Sequence, residues 1–137
     1  MTAERPSDPG DSADSTVVLR VPASSAFVSV LRSLAAGLAA RCDLTLDEIE
    51  DLRIAVDEAC ALLLPLAAPG EVLTAEFGLG RGELVVRVQV ATRDDGELRR
   101  DGFGWTVLEA LVSEVATERA PGSMTITLTK RRESADR

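Results

Sequence analysis

The stretch LTLDEIEDLRIAVDEACALLL, residues 44–64, decides how this chain is read. Thr45-Leu46-Asp47-Glu48 has the form of a capping box, in which the Thr hydroxyl and the Glu carboxylate satisfy each other's backbone N–H groups. Leu44 and Ile49 make a hydrophobic staple across the same start. From there Ile49, Leu52, Val56, Cys60 and Leu63 fall on one stripe of a helix turning about 100° per residue. Ile54, Glu58 and Leu62 lie roughly opposite that stripe. The far side is therefore apolar too, with a single acid in it. Such a helix is expected to be buried on both sides or to line a pocket. Pro65 helps end it near Leu64.

Working outward, TVVLRV (16–21) alternates, with Val17, Leu19 and Val21 on one face, and reads as a strand. Ser24 or Ser25 can cap the next helix, where Phe27, Val30, Leu31, Leu34 and Leu38 repeat at helical spacing to about Cys42. Beyond Pro65, residues 71–80 and 83–91 are two strands joined by a short Gly-Arg-Gly turn, so they form a hairpin. In the second, Leu84, Val86, Val88 and Val90 face one side, and Arg87 and Gln89 the other. After a polar loop, TRDDGELRRD, the segment GFGWTVLEALVSEV starts a third helix near Gly104, with Leu108, Leu111, Val112 and Val115 as its stripe. Pro121-Gly122 makes a turn. SMTITLTK (123–130) is the last strand, with Met124, Ile126 and Leu128 inward and threonines outward.

The order is β-α-α-β-β-α-β. Each strand has one apolar and one more polar face, which predicts an α/β two-layer sandwich with a mixed sheet and helices on one face. Residues 1–15, rich in Pro, Gly, Ser and Asp, are expected to be a disordered tail. Residues 16–132 form the domain, and residues 133–137 a charged C-terminal tail.

Composition narrows the function. At 137 residues the chain is long enough for one domain with a real core. With 3% aromatics and no Tyr, that core must be built from Leu, Val, Ile and Ala. A net charge of −8 argues against coating nucleic acid or an anionic membrane. It fits a neutral or basic protein partner, or simply solubility. No His is present, which rules out Ser-His-Asp chemistry and His-ligated zinc. Cys42 and Cys60 lack CxxC spacing and read as buried, reduced thiols, with a redox-sensing pair as the alternative. No apolar run reaches about 18 residues, and the start lacks an apolar signal core, so a cytoplasmic location is expected.

The ordered set LTLDEIEDLRIAVDEAC, a strand pair, DGFGWTVLEALVSEV and GSMTITLTKRR resembles the RsbW/SpoIIAB-type anti-sigma factors, the small serine-kinase branch of the GHKL ATPases, over residues 16–132. The resemblance implies a pocket for ATP with Mg²⁺ above the sandwich. It also implies an alternative sigma factor and an anti-anti-sigma (STAS-type) antagonist as partners, and a homodimer. In the family's E-x-x-x-N helix motif, Glu is the general base and Asn a Mg²⁺ ligand. Glu58 matches the acid, but the residue four later is Leu62, which carries no hard oxygen for Mg²⁺. In the D-x-G-x-G motif that receives adenine, Asp94 and Gly96 match and Leu98 departs. Gly102 and Gly104 match the Gly-rich run at a helix N-terminus that cradles phosphates. The family's long lid is reduced here to residues 97–101, and Trp105 is expected to add bulk near the phosphates. Arg32, on the polar side of the first helix, is the candidate sigma contact.

Three functions stay open at this point. The first is an anti-sigma factor acting by sequestration, with kinase activity lost or vestigial and no cofactor, or only weak MgATP binding. The second is an active serine kinase using Asp57 or Asp94 for metal contacts. The third is a docking module of this fold without a sigma partner.

Overall fold

Alternation along the strands builds the two layers. In the computed structural model, which describes residues 15–93 and 96–133, strands β1 (Ser15–Pro22), β2 (Val72–Gly80), β3 (Glu83–Ala91), β4 (Glu114–Ala120) and β5 (Ser123–Arg131) form one sheet in the order β1-β2-β3-β5-β4. Leu73, Ala75 and Phe77, then Leu84, Val86, Val88 and Val90, then Met124, Ile126 and Leu128, are all buried on one face. Helices α1 (Val28–Arg41), α2 (Leu46–Leu63) and α3 (Phe103–Leu111) cover that face. The two-layer α/β sandwich is the expected one. A short 3-10 turn, Ser25–Phe27, precedes α1, and Ser24 caps it by accepting from the Ala26 N–H.

The opposite face is polar and carries no helix. Arg20, Thr74, Gln89 and Thr125 line up across four strands in one row of the register. In the next row Arg87 stands between Glu76 (3.5 Å) and Glu118 (3.6 Å). Thr125 and Thr129 point to this side yet are buried, because β5 lies between β3 and β4 and its short side chains sit below those of its neighbours.

One strand is absent from the sequence reading. The third helix, expected to run through Val115, stops at Leu111, and Glu114–Ala120 is β4. Val112 is already extended (φ −122°, ψ 164°). EVATERA holds helix-forming Glu, Ala and Arg, and only Val115 and Thr117 hint at period two. Its pairing with β5 overrides that local preference. The missing strand also corrects the expected mixed sheet, since every pairing among the described residues is antiparallel. The chain leaves β3, crosses through α3 into β4 one place beyond, and returns by the Pro121-Gly122 turn into the gap between them. Gly122 supplies the positive φ of 79° that the second position of such a turn requires.

Helix α2 is the centre of the helical layer. Its capping box forms as the sequence indicates: the Glu48 N–H donates to Thr45 Oγ1 (3.2 Å), and the Thr45 N–H donates to Glu48 Oε1 (2.8 Å). Leu52, Val56, Cys60 and Leu63 are fully buried against the sheet. The far side differs from expectation: Ile54 is 47% exposed, and Glu58 and Leu62 are half-buried. That side lies between α1 and α3 instead of inside a second core. The expected tails fall, except for Ser15 and Glu133, outside the described residues, as do Asp94 and Asp95.

Candidate functional site

Glu58 and Gly104 are brought together from distant parts of the sequence. A methyl group on Gly104 would lie 2.5 Å from Glu58 Oε2 and 3.3 Å from its Cδ. The Glu58 carboxylate therefore rests against the first turn of α3, and a Cβ at Gly104 would push the end of that flexible side chain aside. Glu58 has no hydrogen-bond or ion-pair partner among the described residues, although its neighbour Asp57 has one. Arg32 Nη1 donates to both carboxylate oxygens of Asp57 (2.8 and 3.0 Å), fastening α1 to α2. Arg32, the candidate partner contact, is thus committed to an internal pair while remaining about a third exposed (32%).

The second glycine behaves differently. Gly102 is the N-cap of α3 in extended backbone (φ −100°, ψ 178°), and a Cβ there would meet nothing within 4 Å. Neither its conformation nor its surroundings require a glycine. No side chain caps this helix. Among the described residues, the N–H groups of Phe103, Gly104 and Trp105 have no partner, and the first helical bond is from the Thr106 N–H to the Gly102 carbonyl (3.3 Å). These are the open donors of a helix N-terminus.

Trp105 does not crowd this turn. It is buried in the core, its Nε1–H donates to Glu109 Oε2 (3.1 Å), and the Arg100 guanidinium lies 4.9 Å above its ring. Phe103 is the exposed aromatic beside Gly104. The segment before α3 is short and tied down: Arg119 donates to the Gly96 carbonyl (2.6 Å) and pairs with Glu97 (3.7 Å). Of the adenine-type motif, only Gly96 and Leu98 are described.

The donor set does not fit Mg²⁺. Leu62, one turn beyond Glu58, is apolar and packs against the core. Asp57 is held by Arg32, and no cluster of three His, Cys, Asp or Glu that could hold a metal occurs among the described residues. Mg²⁺ takes hard oxygen ligands, commonly one or two side-chain oxygens with substrate phosphates and water, and a leucine at this place offers none.

Two polar ties escaped the sequence reading. Lys130 Nζ donates to the Leu111 carbonyl (2.7 Å) and approaches Asp51 (3.4 Å), joining β5 to the end of α3 and to α2. Glu48 Oε2 accepts from the Glu133 N–H (2.8 Å), fixing the chain as it leaves β5. The capping box marked Glu48 as a local cap; no local signal points to its second partner. Burial raises the Glu48 carboxyl, but the N–H of Glu133, the N–H and hydroxyl of Thr45, and Lys130 outweigh it and hold the group below the usual carboxylate range. Cys42 and Cys60 are free and buried. Burial, with a smaller push from Asp57, takes the Cys60 thiol up to about 12.

Comparison with known proteins gives a consistent picture. The histidine kinase-like ATPase domain family matches residues 21–130. The anti-sigma-F factor RsbW of Mycobacterium tuberculosis (strain H37Rv) is 33% identical over 128 residues, covering 88% of this chain and 76% of that protein. The serine-protein kinase RsbW of Bacillus subtilis is 29% identical over 136 residues, covering 83% and 84%. The fold is also similar to the crystal structure of the RsbU and RsbW domains of Rv1364c from Mycobacterium tuberculosis (TM-score 0.64, 22% identity). That match covers 85% of this chain and 32% of the other, so this chain spans about a third of that polypeptide.

Proposed function

Because the chain belongs to the RsbW-type branch of the histidine kinase-like ATPase domain family, we propose that it is an anti-sigma factor that sequesters an alternative sigma factor by direct binding, with kinase activity lost or vestigial. One observation carries the second half of this reading. Leu62 sits one helical turn beyond Glu58, where a metal-holding oxygen is needed, and packs into the core instead. Phosphoryl transfer depends on metal and positioning more than on covalent help from the protein. Asp57 is engaged by Arg32, which removes one acid that a rearranged metal site would need.

In this reading the partner surface is the α1–α2 face around Arg32, and an anti-anti-sigma antagonist relieves the sequestration. The protein works as a homodimer in the cytoplasm. The test is affinity capture of tagged protein from lysate of its own source, with mass-spectrometric identification of the eluate. An alternative sigma factor in the eluate supports sequestration; its absence moves the assignment to a docking module of the same fold. Transfer of labelled phosphate from ATP to an antagonist, abolished in Glu58→Ala, would instead establish the active kinase.

A further inference from the structure

We propose that Glu58 is the anchor for an arginine of the sequestered sigma factor, at a place flanked by the exposed apolar side chains of Ile54 and Phe103. This rests on the reading above that a sigma factor is the partner, and it extends the α1–α2 surface across α2 to the first turn of α3. Beyond the first turn of α2, each of its acids but one has a cation from within the chain. Glu50 pairs with Arg53 (3.8 Å), Asp51 with Lys130 (3.4 Å) and Asp57 with Arg32 (2.8 Å). Glu58 has no hydrogen bond or ion pair among the described residues. The cations just before α3 are engaged as well: Arg99 faces Asp101 (3.5 Å), and Arg100 lies over the Trp105 ring. A half-buried carboxylate is thus left without a counter-charge.

Its neighbours give a partner something to cover. Ile54 lies one turn before Glu58 on the same side of α2 and is 47% exposed. Phe103 precedes Gly104, against which Glu58 Oε2 rests, and is 81% exposed. A surface that covers these two side chains also takes water from the open side of Glu58. A carboxylate desolvated without a counter-charge is unfavourable, so the covering surface must bring a cation. Arginine suits the place better than lysine. Its planar guanidinium donates two parallel N–H bonds to one carboxylate, and its face stacks on an aromatic ring such as that of Phe103. The net charge of −8 draws a basic surface toward the chain, and Glu58 fixes where it docks.

The experiment uses the purified sigma factor that the wild type captures, and measures its affinity for wild type, Glu58→Gln, Glu58→Arg and Glu50→Gln. Glu58→Gln keeps the shape and removes only the charge, so it remains a folded reference if Glu58→Arg perturbs packing. Glu50→Gln removes the same charge from the same helix at a position that already has its own cation. Urea midpoints confirm folding of each. The expected result is binding about tenfold or more weaker for Glu58→Gln, chiefly through faster dissociation, and within about threefold of wild type for Glu50→Gln. In a scan of the sigma factor's arginines to glutamate, one substitution should restore binding to Glu58→Arg. Equal affinities of wild type and Glu58→Gln overturn the proposal while leaving sequestration intact. Equal losses in the two glutamine variants do the same, because they show a general effect of net charge. A wild type that binds no sigma factor overturns both this proposal and sequestration.

Discussion

Replacing Arg32 separates two roles that the structure superimposes on one side chain. Arg32 Nη1 contacts both oxygens of Asp57 at 2.8 and 3.0 Å, with the two side chains 32% and 42% exposed. A hydrogen bond to a charged group contributes about 1.5–3 kcal/mol when shielded, and an exposed ion pair about 0.2–1 kcal/mol. At this exposure the coupling should fall near 1 kcal/mol. Urea unfolding of wild type, Arg32→Ala, Asp57→Ala and the double variant closes a thermodynamic cycle. Each single variant should lose about 1 kcal/mol, and the double variant little more than either single one. A coupling below about 0.3 kcal/mol would mean that the pair is not held in solution, and the reasoning from distance would fail. The same variants then separate contact from scaffolding in sigma capture. If Arg32 touches the partner, Arg32→Glu abolishes capture while Asp57→Ala leaves it within a few-fold. Parallel losses in both variants would show that the pair only positions α1.

Four further outcomes follow from the packing. Lys130→Met removes a charged donor from the last carbonyl of α3 and should cost about 2 kcal/mol, read as a lower urea midpoint; a loss below about 0.5 kcal/mol would remove Lys130 as the tie. In wild type, Gly104→Ala sets a methyl group against Glu58 Oε2, so the gain in helix propensity is offset; in a Glu58→Ala background it should stabilise by about 0.5–1 kcal/mol, and an equal effect in both backgrounds would contradict the contact. Because the folded-state pKa of Glu48 is lowered, its contribution to stability is present above the ordinary carboxylate range and is lost as pH falls through the lowered value; Glu48→Gln should flatten that acid limb, and an unchanged limb refutes the assignment. Cys60, with its thiol pushed up to about 12, should resist iodoacetamide at pH 8 until the protein unfolds, and rapid native alkylation would show that it is not sealed in the core.

The sequence was most legible where a pattern was both local and long. The capping box at Thr45 and the buried stripe Leu52, Val56, Cys60 and Leu63 appear as expected, because hydrogen bonding and helical period both act within a few residues. The β2–β3 hairpin was legible for the same reason. Strand β4 was not: EVATERA has weak strand preference, and its conformation comes from β5, which follows it in the chain. At the candidate site, Glu58 and Gly104 were each visible as motif members. Their contact was not, since it depends on how α3 docks on α2. Arg32 was read as surface because its periodicity places it on the polar side of α1; its partner Asp57 lies 25 residues away, beyond the reach of a helical repeat. Trp105 was misplaced because a one-residue change of position around α3 separates the core from the open turn.

The strand order has a consequence in time. β5 is the last of these strands along the chain, yet it lies inside the sheet, bonded to β3 on one side and β4 on the other. Until it emerges from the ribosome, β3 has an unpaired edge and α2 lacks part of the floor beneath it. β1 is in a similar position, since its register with β2 joins Val21 to Leu73 across the whole of α1 and α2. Two quick hairpins and two slow closures should then set the folding rate. A growing chain therefore holds no finished floor beneath α2 until β5 has entered the sheet between β3 and β4.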